Sequence, residues 1–311
     1  FSGLMTHDNG NTLNTIITHL EHLGYHVSCR LLDSRYFGLP QSRKRVYIVG
    51  SLDEEINLEN FQQREAVLGD ILQQGLPTVD TDFTRKLFAN YTTQEVIGKS
   101  IKDKRGGENN IHSWDIDLKG RTSQKERDLM SALLRERRKK HWAEVIGIKW
   151  MDGMPLTEEQ IRTFYNVPEL HQILEHLTQM GYLVYEYPKQ QIKGKDGIVK
   201  RIPDETKDKG YNIVAGKLSF EFSKILDTND IAPTLVAMDV AKLGVVDGDG
   251  IRRLTIRECQ RLCGYPDNYN LDMISESEAF DLLGNTVCVP VINDISERIG
   301  RSYLENVEGG R

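Results

Sequence analysis

The chain has 311 residues, 39% hydrophobic and 28% charged, which suits one large domain or two medium ones, each with a real core. No apolar run is long enough to span a bilayer, the opening FSGLMTHDNG lacks a signal-peptide pattern, and a net charge of -6 leaves nucleic-acid contact to local basic patches. Four cysteines (Cys29, Cys259, Cys263, Cys288) are too few for a disulfide scaffold and read as reduced thiols of a cytoplasmic protein.

Leu13, Ile16, Ile17, Leu20 and Leu23 recur at helical spacing, with Gly24 as the cap. Val27, Cys29 and Leu31 then alternate with His26, Ser28 and Arg30, as in a half-buried strand. After the turn-like Phe37-Gly-Leu-Pro40 and Gln41-Ser-Arg-Lys-Arg45, Val46-Tyr-Ile-Val49 reads as a short buried strand ending at Gly50. This is half of an α/β sheet, too small to stand alone.

The texture changes near residue 80. Ser123-Gln-Lys-Glu126 has capping-box form and opens a helix with Leu129, Met130, Leu133 and Leu134 on one face, running out in Arg135-Glu-Arg-Arg-Lys-Lys140. Thr157-Glu-Glu-Gln160 opens a second helix, and Pro168 to Met180 forms a third, closed by Gly181. Leu183 to Tyr187 and the segments either side of Asp196-Gly197 suggest strands and a hairpin. The α/β texture returns near residue 225. Thr255-Ile-Arg-Glu258 is a capping box whose short helix ends at Gly264, Ser275 to Leu283 is another stopped at Gly284, and Val289, Ile292, Ile295 and Ile299 mark a final helix.

Three stretches in this order resemble the cytosine-5 DNA methyltransferases. Gly38-Leu-Pro-Gln-Ser-Arg-Lys-Arg-Val-Tyr-Ile-Val49 looks like that family's Gln-x-Arg-x-Arg motif. Arg252 to Asp267, with Ala232-Pro-Thr-Leu235 before it, is similar to the penultimate motif, and Gly284-Asn-Thr-Val-Cys-Val-Pro-Val-Ile292 to the last, a run opening the final helix. Gly3 to Gly10 resembles the segment after the family's Glu-Asn-Val motif. The implied fold class is α/β: a partial S-adenosylmethionine-dependent methyltransferase (Rossmann-like) sheet with an inserted mixed α+β target-recognition domain. Its parts are residues 1–80 (second half of the catalytic domain), 81–224 (target recognition) and 225–311 (return to the catalytic domain).

The family's glycine-rich cofactor loop, Pro-Cys nucleophile and Glu-Asn-Val motif precede the point matched by residue 3. Glu305-Asn-Val307 follows the last motif and is a chance match, and no cysteine follows a proline. With Phe as first residue, a fragment, trimmed product or split subunit is the expectation, inert without a polypeptide carrying the missing motifs.

The implied chemistry is methyl transfer from S-adenosyl-L-methionine to carbon 5 of a cytosine flipped out of double-stranded DNA. By the motif match, Arg45 contacts the flipped cytosine, Arg43 lies near the thiolate or a backbone phosphate, and Gln41 fixes the loop. Otherwise these arginines simply flank a strand in solvent. Asn285 and Thr286 meet the cofactor at a helix start, where ordinary capping explains them equally well locally. Arg252, Arg253 and Arg257 touch DNA phosphates, organise the recognition domain or form a solvated helix start. In the middle region Lys102, Lys104, Arg105, Gly106 and Gly107, and the basic run with Arg137 and Arg138, are candidates for DNA contact, set against a plain solvated face. Cys259 and Cys263 without a second pair are poor zinc ligands, and no metal is expected. The competing reading is a catalytically inactive DNA-binding specificity subunit.

Overall fold

Residues 3–193, 199–215, 220–237 and 239–309 are described by a computed structural model. The first amphipathic segment forms the helix Asn11–His22, left by Leu23 and by Gly24 at φ +90°. None of its residues is buried: Ile16 is 37% and Leu23 71% exposed. His26–Asp33 and Lys44–Ser51 pair antiparallel from His26↔Ser51 to Asp33↔Lys44. Among the described residues they form a sheet of two strands only. The expected buried strand Val46 to Val49 is half-buried at every position: Tyr47 and Val49 pack against the core that includes Val291 and Ile295, but no further strand flanks the hairpin among the described residues.

Two compact units make up the chain: residues 1–78, 226–248 and 252–311 form one, residues 79–225 and 249–251 the other. In the first, Leu32, Phe37, Leu39, Ile56 and Leu58 pack with Cys288, Val291 and Ile295 of the final helix Val289–Gly309. A second core there joins Leu68, Leu235, Leu243 and Val245 to Cys259, Leu262, Phe280 and Leu283. The helices carrying these residues, Ile256–Leu262 and Glu276–Asn285, open on capping boxes at Thr255 and Ser275. Gly264, at φ +80°, closes the first, in a position where a Cβ would lie 2.4 Å from Pro290 Cδ.

The other unit is built around Trp114, Leu129, Met130, Leu133, Leu156, Leu174, Leu177 and Tyr182. Ser123 caps Gln124–Glu136 and Thr157 caps Glu158–Arg162. Leu170–Gln179 follows, with Gly181 at φ +77°. The basic run does not extend the first of these helices: it stops at Glu136, Arg137 serves as C-cap, and a new helix begins at Lys140. Leu183–Glu186 pairs with Gly210–Ile213, and Lys189–Lys193 with Val199–Pro203. The expected turn at Asp196-Gly197 lies outside the described residues. Among the described residues no helix is long and apolar enough to cross a membrane.

Candidate active site

Gln41 is fully buried in the loop ahead of strand Lys44–Ser51. Its Nε2 donates to Leu262 O (2.9 Å) and its Oε1 accepts from Leu235 N (3.1 Å), so both ends of the amide are satisfied. Ala232 N donates to Pro40 O (2.8 Å), Ser42 N to Ala232 O (3.0 Å) and Thr234 Oγ1 to Ser42 O (2.6 Å). The loop is thereby knitted to two segments, one 192 and the other 221 residues further along the chain.

Arg43 extends the same stitching. It is 3% exposed, and its guanidinium donates to Leu235 O (3.1 Å), Gly284 O (2.9 Å) and Thr286 O (2.6 Å). A planar fork of fixed donors suits three converging carbonyls. This corrects the expectation of an open side chain beside a thiolate or a phosphate: Arg43 is enclosed, and its two terminal nitrogens are taken by backbone carbonyls. Gly284 can approach because it has no side chain; a Cβ there would lie 2.5 Å from Ala237 N. Arg45, one turn of the pleat further on, is half-buried and donates to Lys44 O (2.8 Å). Burial and the neighbouring charge of Arg43 both lower its pKa from the ordinary value.

None of the four cysteines is poised as a thiolate. Burial pushes all four thiols up, Cys263 to about 12. Cys288 is closest in character to an activated thiol, since Ser34, Arg43 and Arg45 act against its burial, yet the balance remains upward.

Asn285 and Thr286 do not sit at a helix start. Asn285 ends Glu276–Asn285, its Nδ2 donating to Asp281 O (3.0 Å), and Thr286 is extended beyond that end. The next helix begins at Val289, whose N–H is taken by Cys263 O (2.9 Å), and Pro290 has no N–H to give. The helix-terminus anion site is therefore corrected to a helix-exit junction. The side chains still fit one edge of a cofactor carrying a carboxylate: Asn285 is exposed, and Thr286 Oγ1 lies 2.5 Å from Tyr265 Oη. With Tyr265 as donor, the Thr286 hydroxyl keeps its own proton for an outward acceptor. Tyr265 went unassigned in the sequence, although Gly264-Tyr-Pro266 places it directly after the helix stop.

Arg252 is also corrected. It is 3% exposed and donates from Nε to Asp247 (2.7 Å), from its two terminal nitrogens to Glu258 (2.9 and 2.8 Å), and to Arg253 O (3.1 Å) and Gln73 O (2.7 Å). All five donors are consumed, leaving none for a phosphate. Arg257 donates to the carbonyls of Asp267 and Tyr269, and Arg253 is exposed. Arg261, not singled out in the sequence, holds both carboxylate oxygens of Asp267 (2.8 and 2.7 Å).

In the middle unit Arg137 is 3% exposed, donates to Asn212 Oδ1 (2.8 Å), and burial pulls its pKa down to about 10. It is a core residue and not a phosphate ligand. Arg138 is ion-paired with Asp152 at 2.6 Å. Lys104, Arg105, Gly106 and Gly107 are exposed on a loop between Ser100–Ile101 and Asn110–Ile111, with Lys102 half-buried at its start. Asn110 Nδ2 donates to Gly106 O (2.8 Å) and buried Asp103 accepts from Ser113 N and Oγ (2.8 and 2.7 Å), which fixes the loop at both feet.

A profile of the C-5 cytosine-specific DNA methylases matches residues 2–301. The type II methyltransferase M.NlaIV of Neisseria lactamica is 54% identical over 304 residues, covering 96% of this chain and 70% of that protein. M.BanI of Aneurinibacillus aneurinilyticus is 36% identical, covering 98% and 72%. The solved Entamoeba histolytica methyltransferase EhMeth aligns with a TM-score of 0.37 at 12% identity over 94% of this chain, a likeness too low to support any inference, and the chain spans 58% of its length. Members of the matched family draw their methyl group from S-adenosyl-L-methionine. The chain belongs to the C-5 cytosine-specific DNA methylase family.

Proposed function

We propose that this chain supplies target recognition and the Arg45 side of the active site of a sequence-specific DNA (cytosine-5-)-methyltransferase in a restriction-modification setting. A Pro-Cys nucleophile reaches that site from outside these 311 residues, because none of the nine prolines here is followed by cysteine. The observation that carries the reading is the stitching of Gln41 and Arg43 to residues 232–235, 262 and 284–286. That stitching supports the reading because it ties the segment leading into Arg45 to the one carrying Thr286, as a preorganised site requires.

A thiolate adding to carbon 6 of cytosine makes carbon 5 nucleophilic, and negative charge develops on the ring. Arg45 holds the flipped ring and that charge. Arg43 acts one step back, positioning Gly284 to Thr286. Thr286 and Asn285 hold the amino-acid end of S-adenosyl-L-methionine, which when bound supplies the methyl group. In enzyme reconstituted with a polypeptide carrying the Pro-Cys and Glu-Asn-Val motifs, Arg45→Ala lowers the single-turnover methylation rate by about 100-fold or more. Asn285→Ala mainly raises KM for the cofactor. An Arg45→Ala enzyme with an unchanged rate would remove Arg45 from the chemistry.

A further inference from the structure

The middle unit carries a feature that neither the motifs nor the basic runs explain. Lys189–Lys193 and Val199–Pro203 pair only with each other among the described residues, forming a two-stranded ribbon. All five residues of Val199–Pro203 are exposed, and Ile192, Val199 and Ile202 are 44%, 55% and 40% exposed. The register places Lys189, Gln191 and Arg201 on one face and Gln190, Ile192, Lys200 and Ile202 on the other. Neither face packs into a core, and an isolated two-stranded ribbon is marginal in water. Its base is fixed by Asp204 N donating to Pro188 O (2.8 Å) and by the Lys209 ammonium over the Tyr187 ring (4.7 Å). Of its charged groups, Lys189 meets Glu186 at 3.1 Å, while Lys200 and Arg201 stand exposed.

We infer that this ribbon enters the major groove of double-stranded DNA and reads base edges there, an inference that rests on the methyltransferase reading above. The major groove, about 12 Å wide, admits a two-stranded ribbon whose strands lie about 5 Å apart. The chain as a whole is acidic at -6, so an exposed element bearing Lys200 and Arg201 is complementary to phosphate by local charge. Gln190 supplies the paired donor and acceptor that match adenine in the major groove, and Ile192 and Ile202 on the same face supply apolar contact for thymine methyls.

The test is binding of the 311-residue chain, alone and with the Pro-Cys polypeptide, to short duplexes with a randomised centre, read as affinity against salt and as the enriched sequence. Lys200→Ala with Arg201→Ala is expected to bind about tenfold more weakly and to lower the slope of log affinity against log salt by about 0.9 per lost phosphate contact. Gln190→Ala is expected to keep that slope and relax the enriched sequence at one position. All three positions are at least partly exposed, so circular dichroism melting should match the parent. Parent-like affinity, slope and enriched sequence in both variants would overturn the ribbon while leaving the methyltransferase reading intact. Failure of the parent protein to bind any duplex would overturn that reading and the ribbon with it.

Discussion

Two amphipathic helices of nearly equal length, Asn11–His22 and Gln124–Glu136, meet opposite fates. The second buries Leu129, Met130, Leu133 and Leu134, and the first buries nothing. Their termini differ in the same sense. Ser123 accepts from Glu126 N and Glu126 answers Ser123 N (2.6 Å), whereas the first helix starts at Gly10 with no side-chain cap. Periodicity in a sequence reports which face is apolar. Whether that face is covered depends on residues elsewhere, and helical stability in proteins comes mostly from that covering.

The comparison would break most visibly if an enclosed group proved dispensable. Arg252→Met leaves Glu258 buried without its cation and should cost about 3–5 kcal/mol in urea unfolding. Leu133→Ala, at a position with no exposure, should cost about 2–5 kcal/mol in the same measurement. Ser123→Ala should cost about 1 kcal/mol through loss of the cap. At the uncovered helix, Leu13→Ala should change stability by less than about 0.5 kcal/mol. A Leu13→Ala loss as large as that of Leu133→Ala would mean that the first helix is covered after all.

The smallest expected effect is on pH dependence. Hydrogen bonding from Arg252 holds the Asp247 carboxyl below the usual carboxylate range. A depressed folded-state pKa contributes stability that is complete above the unfolded value, about 4, and is lost as pH falls through the folded value. Acid unfolding of the parent should therefore steepen below about pH 4. In Arg252→Met that steepening should be reduced; an unchanged acid profile would separate Asp247 from Arg252.

Features that close within three or four residues were legible in the sequence. The capping boxes at Ser123, Thr157 and Thr255 and the stops at Gly24, Gly181 and Gly264 need only local chemistry. The arginines were not legible in this way. Arg43, Arg137 and Arg252 look like surface cations in a linear reading, and each meets at least one acceptor far along the chain: carbonyls at 235, 284 and 286 for Arg43, the amide of Asn212 for Arg137, and Gln73 O for Arg252, which is also held by the nearby carboxylates of Asp247 and Glu258. Asn285 and Thr286 misled for a related reason. Their residue types suit a helix start, but backbone pairing of Val289 with Cys263 sets the true start three residues later.

The proposed division of the active site is tested most directly by transfer of labelled methyl from S-adenosyl-L-methionine to DNA. The chain would be assayed by itself and then mixed with a polypeptide supplying the Pro-Cys and Glu-Asn-Val motifs. Label is expected in the mixture alone. Label incorporated by these 311 residues unaided would place a working nucleophile among Cys29, Cys259, Cys263 and Cys288, contradicting the account.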